Sequence, residues 1–175
     1  MQNSIWTYFF RSKNNEQSIP DFLAELPIFE NLSGGQRKQV SRILHERKYT
    51  KGETVFNEAE PGAGLYIIES GRVAITKHIE GGEPAVLATI EEGNFFGELA
   101  LIDEIPRSAT AIAFEDTVLL AFPKPDLDRL VSRHPQLAVK ILYNLSRLVA
   151  QRMIHANENL RKLQESLAAD SSDAK

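Results

Sequence analysis

Two residues of opposite charge in the stretch FFGELALIDEIPRSAT, residues 95–110, are placed to serve one ligand: Glu98 and Arg107. Gly97 opens a predicted short helix over 98–102. The first backbone N–H groups of a helix have no partner inside it, and together with the helix dipole they attract an anion. Arg107, directly after Pro106, would bring a permanent cation to the same anion. Ser108 adds a hydroxyl donor. Glu98 is an acceptor for a neighbouring hydroxyl, so the pair suits a ribose phosphate, with the carboxylate selecting ribose over deoxyribose. The segment 103–106 returns the chain and lets Glu98 and Arg107 converge.

Taken singly, these residues have plainer readings. A glutamate in the first turn of a helix is favoured by the dipole alone, and an isolated arginine is usually solvated. Order and spacing make them a set. Gly62-Ala-Gly64 resembles the start of a dinucleotide fingerprint, but it lacks the third glycine and precedes a strand, so it reads as a turn. His45, His78, His134 and His155 lie far apart and in no ligand spacing, and there is no cysteine. Disulfides, zinc fingers, iron–sulfur clusters and thiol catalysis are thereby excluded, and no metal site is predicted. With no histidine or nucleophile–base pair near Glu98, the segment predicts binding and no enzyme.

The elements that must position this segment follow from periodicity. Residues 1–18 are polar after an aromatic start, Ile5-Trp6-Thr7-Tyr8-Phe9-Phe10, and are expected to form an arm. Residues 19–26 predict one or two helical turns that place Phe22, Leu23 and Leu26 on one face, ended by Pro27. Ser33 is the predicted N-cap of a helix over 34–46. Short runs rich in branched and aromatic residues follow at 54–56, 65–68, 73–77, 85–90, 109–114 and 118–122, separated by turn residues such as Gly81-Gly82. Such spacing predicts an antiparallel sandwich or barrel. A short helix over 126–133 and a long one over 135–168 come next, the latter on the order of 50 Å long. Residues 169–175 are expected to be a disordered tail. Along the long helix Val149, Met153, Ala156, Leu160, Leu163 and Leu167 alternate by four and three, the spacing of a two-helix seam, which predicts a homodimer.

FGELALIDEIPRSA resembles the pattern of the cyclic-nucleotide-binding domain family, FGE-L/I-A-L followed by a short variable stretch and P-R-A/S/T-A. That family includes bacterial catabolite activators, regulatory subunits of cyclic-AMP-dependent kinase and cyclic-nucleotide-gated channels. The resemblance extends through PIFENLS, YTKGETVFNEAEPGAGLYIIESGRVAI and DLDRLVSRHPQLA, covering residues 27–163. It implies a mainly β fold with flanking helices: an eight-stranded β-roll of the jelly-roll (double-stranded β-helix) type, with N-terminal helices and a long C-terminal helix. Within it, Gly97, Glu98, Leu99, Ala100, Arg107, Ser108 and Ala109 would hold ribose and phosphate, Leu99 and Ala100 through their backbone N–H groups. Serine at 108 goes with cyclic AMP in this family, whereas sites favouring cyclic GMP often carry threonine. Residues 150–160, AQRMIHANENL, are similar to the catabolite-activator helix that touches the base, so Arg152, Ala156 and Asn157 are candidate base or helix contacts. Ala156 and Asn157 fall where that activator has Thr and Ser, so a hydroxyl is missing at 156.

The expected whole is a domain over 19–134 between the arm and the long helix: a stand-alone cyclic-nucleotide sensor, for cyclic AMP or alternatively cyclic GMP, acting on an effector protein by repositioning that helix. Two other readings are a dimerising scaffold with a vestigial pocket and the sensor half of a longer transcription regulator. A net charge of −4 and the lack of a basic recognition helix predict no direct DNA binding. No run of about eighteen apolar residues predicts a transmembrane helix, and no signal peptide is recognisable, so the expected location is the cytoplasm.

Overall fold

The computed structural model describes residues 15–103 and 105–173. In chain order these form α1 (Asn15–Glu25), a 3-10 turn (Pro27–Phe29), α2 (Gly34–Ser41), β1 (His45–Tyr49), β2 (Thr54–Phe56), β3 (Gly64–Ser70), β4 (Arg72–Lys77), β5 (Ala85–Glu91), β6 (Phe95–Phe96), α3 (Leu99–Ile102), β7 (Thr110–Ala113), β8 (Thr117–Pro123), α4 (Lys124–Arg133) and α5 (Pro135–Asp173). The strands make two four-stranded antiparallel sheets, ordered β1-β8-β3-β6 and β2-β7-β4-β5. This is the eight-stranded roll with flanking helices that the motif implied.

The sequence of each sheet reflects what covers it. The central strands β3 and β8 of the β1-β8-β3-β6 sheet are buried on both faces. Leu65, Ile67, Leu120 and Phe122 pack with Leu23, Phe29, Ile141 and Leu145 of the helical layer. On the opposite face Ile68, Leu119 and Phe96 pack with Val73 and Ala111 of the second sheet. β3 and β8 therefore read as nearly continuous apolar runs, whereas β7, covered on one face only, alternates.

Ser33 caps α2 as predicted: its hydroxyl accepts from the Gln36 backbone N–H, and the Gln36 side chain accepts from the Ser33 N–H. The helix stops at Ser41, however, and residues 45–49 form β1 instead of continuing it to 46. An edge strand of mostly polar residues, HERKY, shows no apolar alternation, and only its ladder with β8 reveals it. β6 was likewise not expected, being two residues long. The Gly81-Gly82 turn between β4 and β5 closes with Gly82 N–H donating to the Ile79 carbonyl, 3.1 Å.

Both termini of the domain differ from expectation. α1 begins at Asn15, inside the predicted arm, and contains Pro20 as its sixth residue; a proline there removes the backbone bond to residue 16 and crowds that residue's carbonyl, a local cost within the helix. Residues 1–14, with the aromatic run, lie outside the described residues. At the other end α5 continues past Ala168 to Asp173, because extending an existing helix adds one hydrogen bond per residue fixed. Residues 174–175 lie outside the described residues.

α5 is anchored only in its first half. Leu137, Ala138, Ile141, Asn144 and Leu145 are buried, and the Asn144 amide donates to the carbonyls of Ile28 (3.3 Å) and Glu30 (2.9 Å). Beyond Val149 every side chain described is exposed except that of Arg152, which is half-buried. Among the described residues no helix is long and apolar enough to cross a membrane.

Candidate functional site

β6 delivers the chain to the site. Phe95 and Phe96 are buried, and the chain then turns at Gly97, whose φ of 73° is poorly accessible to other residues. A Cβ there would also stand 2.5 Å from Arg107 Nη1. Glu98 is the N-cap of α3, which begins at Leu99, one residue later than expected, and its side chain does not cap. It meets Arg152 of α5 instead, Nη1 to Oε2 3.3 Å. Arg152 is fixed further by donating from Nη2 to the Phe95 carbonyl (2.7 Å) and by lying over the Phe95 ring (4.2 Å).

Arg107 approaches from the opposite side. Its segment is pinned by two backbone bonds of 2.8 Å, Arg107 N–H to the Glu60 carbonyl and Ala59 N–H to the Arg107 carbonyl, and by a Pro61–Pro106 bridge. The Arg107 side chain is 7% exposed. Its guanidinium lies over the Phe56 ring at 4.1 Å and near Tyr66 at 5.8 Å, inside a cluster of Phe56, Tyr66 and Phe96. Nη1 donates to the Gly97 carbonyl, 3.0 Å, while Nε is buried with no hydrogen-bond partner. Among the described residues no carboxylate comes within salt-bridge distance of it. Burial lowers its pKa from the ordinary arginine value, opposed by Tyr66, Glu60 and Glu98 nearby. A buried cation held by π-faces and one carbonyl is poised for an anion.

Between these two sides lies a cavity of about 240 Å³. Gly97, Glu98, Leu99, Ala100, Arg107, Ser108 and Ala109 all line it, as does Arg152. Ala156 and Asn157 do not: they are exposed on α5 beyond the point where it leaves the body. The remaining wall is Phe56, Ile75, Ala88, Ile90, Phe96 and Pro106. Ile75, Ala88 and Ile90 were not singled out from the sequence, although their alternate positions on β4 and β5 carried the signal. Gly62 was read only as a turn. It is the surface on which α3 rests, since a Cβ there would fall 2.2 Å from Ala100 Cβ and 3.0 Å from the Ile105 carbonyl oxygen. No group of His, Cys, Asp or Glu side chains among the described residues is arranged to hold a metal ion.

The arrangement thus offers a buried cation, first-turn amides of α3, a carboxylate shared with a helix, and an apolar wall for a flat group. Comparison with known proteins points the same way. The family model of the cyclic nucleotide-binding domain matches residues 46–134. The Cyclic AMP receptor protein of Thermus thermophilus is 35% identical over 134 residues, 77% of this chain and 60% of that protein. The regulatory domain of Toxoplasma gondii PKA, solved with cAMP, is 28% identical with a TM-score of 0.65, covering 78% of this chain and 50% of that one. A cyclic nucleotide-binding domain from Methylobacillus flagellatus shares the fold, with a TM-score of 0.74 at 23% identity, over 83% of this chain and 82% of that one. The chain spans 60% of the receptor protein's length.

Proposed function

This chain belongs to the cyclic nucleotide-binding domain family, and from that premise we propose that it is a regulatory module that binds cyclic AMP and transmits the event through α5. The observation that carries this reading is Arg107: a cation 7% exposed, with Nε unpartnered, facing a cavity that contains the α3 amides. The cyclic phosphate would neutralise it. Glu98 would accept the ribose 2′-hydroxyl, and Ile75, Ala88 and Ile90 would cover one side of the base. Ser108 and the relatives named for or solved with cyclic AMP favour adenine over guanine.

Signalling is read from the Glu98–Arg152 contact. A ribose that engages Glu98 alters what Arg152 holds, and Arg152 is the last of the described α5 side chains that is partly buried. Such a ligand shifts α5 only as far as it binds one arrangement better than the other. The effector is a protein that reads the position of α5. A second copy is the other partner proposed, because Met153, Leu160 and Leu163 of the predicted seam are each more than half exposed. The site is one for binding and regulation, its lining carboxylate being engaged with Arg152 and not with a nucleophile. The cysteine-free sequence accords with the cytoplasm.

Displacement of a fluorescent cyclic AMP analogue tests the reading. Unlabelled cyclic AMP should displace it at lower concentration than cyclic GMP, and 5′-AMP should fail. An analogue that never binds, or that 5′-AMP displaces equally well, would contradict the assignment.

A further inference from the structure

A second cavity, of about 220 Å³, lies across the β1-β8-β3-β6 sheet from the nucleotide cavity. Neighbouring residues of a strand face opposite ways: Phe96 lines the nucleotide cavity and Phe95 lines the second one. Its apolar wall includes Leu26, Ile28, Ile67 and Phe95, each almost fully buried. Its rim is polar, with Asn94 from the turn before β6 and Gln151, Arg152 and His155 from α5. No acidic residue lines it, so its charged or chargeable groups are the Arg152 guanidinium and the His155 imidazole. Of all the lining residues, Arg152 alone belongs to both cavities.

We propose that this cavity is a second ligand site, for a small apolar monocarboxylate whose hydrocarbon body fills the cavity and whose carboxylate meets Arg152. Space and charge both select that class. An apolar cavity of about 150 Å³ binds benzene, so one of about 220 Å³ takes a single ring with a short acid arm. A guanidinium carries five N–H donors in a planar fork that matches a carboxylate. Arg152 gives one to the Phe95 carbonyl and turns Nη1 to Glu98, and it has no further partner among the described residues. The Gln151 side-chain amide, exposed and without a hydrogen-bond partner among the described residues, adds a neutral donor at the same rim. His155 meets Glu158 along α5, Nδ1 to Oε2 3.6 Å, and Glu158 does not line the cavity. An amine would find no anion at this rim, and a neutral ring would leave the Arg152 donors unused. Because Arg152 also holds Glu98, a consequence follows that rests on the nucleotide reading. A carboxylate that draws Arg152 away frees Glu98 for the ribose, and a ribose on Glu98 frees Arg152 for the carboxylate. Each ligand should therefore tighten the other by the same factor.

Methyl NMR of the full chain, labelled at isoleucine, reads the two cavities apart, because Ile28 and Ile67 line the second and Ile75 and Ile90 the first. Phenylacetate alone should shift the Ile28 and Ile67 methyls saturably and leave those of Ile75 and Ile90 in place. Phenethyl alcohol and phenethylamine, which keep the ring and lose the carboxylate, should bind at least about tenfold more weakly. Arg152→Gln should weaken phenylacetate by a similar factor while the rest of the methyl spectrum is preserved. With cyclic AMP at saturation, the phenylacetate titration should tighten several-fold. No saturable shift at Ile28 and Ile67 up to millimolar phenylacetate, shifts at Ile75 and Ile90 only, or equal binding of the alcohol overturns the site. An affinity that bound cyclic AMP leaves unchanged overturns the coupling. Cyclic AMP that itself shifts no methyl contradicts the nucleotide reading, and the titration with phenylacetate alone still decides the second site.

Discussion

Arg107 carries an unusual burden for a single side chain, because what fits it for a ligand makes it unfavourable without one. Its guanidinium has lost water and holds one carbonyl and two aromatic faces in return. Replacing a buried charge by an apolar group of similar length is often neutral or stabilising, whereas leaving a ligand's charge unpaired is costly. Arg107→Met should therefore leave the stability of the free protein unchanged or raise it by about 1–4 kcal/mol, yet weaken cyclic AMP binding by about 3 kcal/mol, on the order of 100-fold. Urea unfolding and ligand displacement measured on the same preparation check both halves. Arg107 and Glu98 were legible in the sequence because each depends on a local motif, FGELA or PRSA. The apolar wall was not, since Ile75, Ala88 and Ile90 come from two strands whose pairing is a tertiary fact. Arg152 was marked only by resemblance; nothing local foretells that it leaves α5 to grip Glu98 and the Phe95 carbonyl.

At the scale of elements, the cassette is positioned by two glycines. Gly97→Ala forces a left-handed backbone on a residue with a Cβ and drives that Cβ against Arg107, which should cost about 1–2 kcal/mol in stability and also impair binding. Gly62→Ala tests a subtler link. Its Cβ would overlap Ala100, so α3 must move; overpacking of this kind costs about 1–3 kcal/mol, and affinity should fall about tenfold or more although residue 62 lies outside the cavity lining. Thermal melts and titration of the two variants separate lost stability from lost positioning. The tie between α5 and the cassette is the Arg152 side chain, so Arg152→Ala should accelerate amide exchange in α5 beyond Val149 and leave its first half protected. Periodicity made the apolar strands readable and the polar edge strand β1 unreadable: β3 and β8 announce themselves by composition, whereas HERKY becomes a strand only because β8 offers it a ladder.

Across the whole molecule, α5 connects a well-packed body to an exposed helical half. Leu160 and Leu163 of the seam are more than half exposed and lie outside the core of the body, so Leu160→Glu combined with Leu163→Glu should leave the melting of the β-roll unchanged and abolish self-association in sedimentation velocity. A concentration-independent monomer in the unaltered chain would remove the dimer from the account while leaving the nucleotide site intact. The central claim is that Arg107 and the α3 amides form a cyclic-nucleotide site, and isothermal titration of the full chain with cyclic AMP tests it most directly. The unaltered protein should give a saturable heat for one nucleotide per chain, with Arg107→Met far from saturation at the concentrations that saturate the unaltered protein. No heat from the unaltered protein at millimolar cyclic AMP, or equal heats from both, would contradict it.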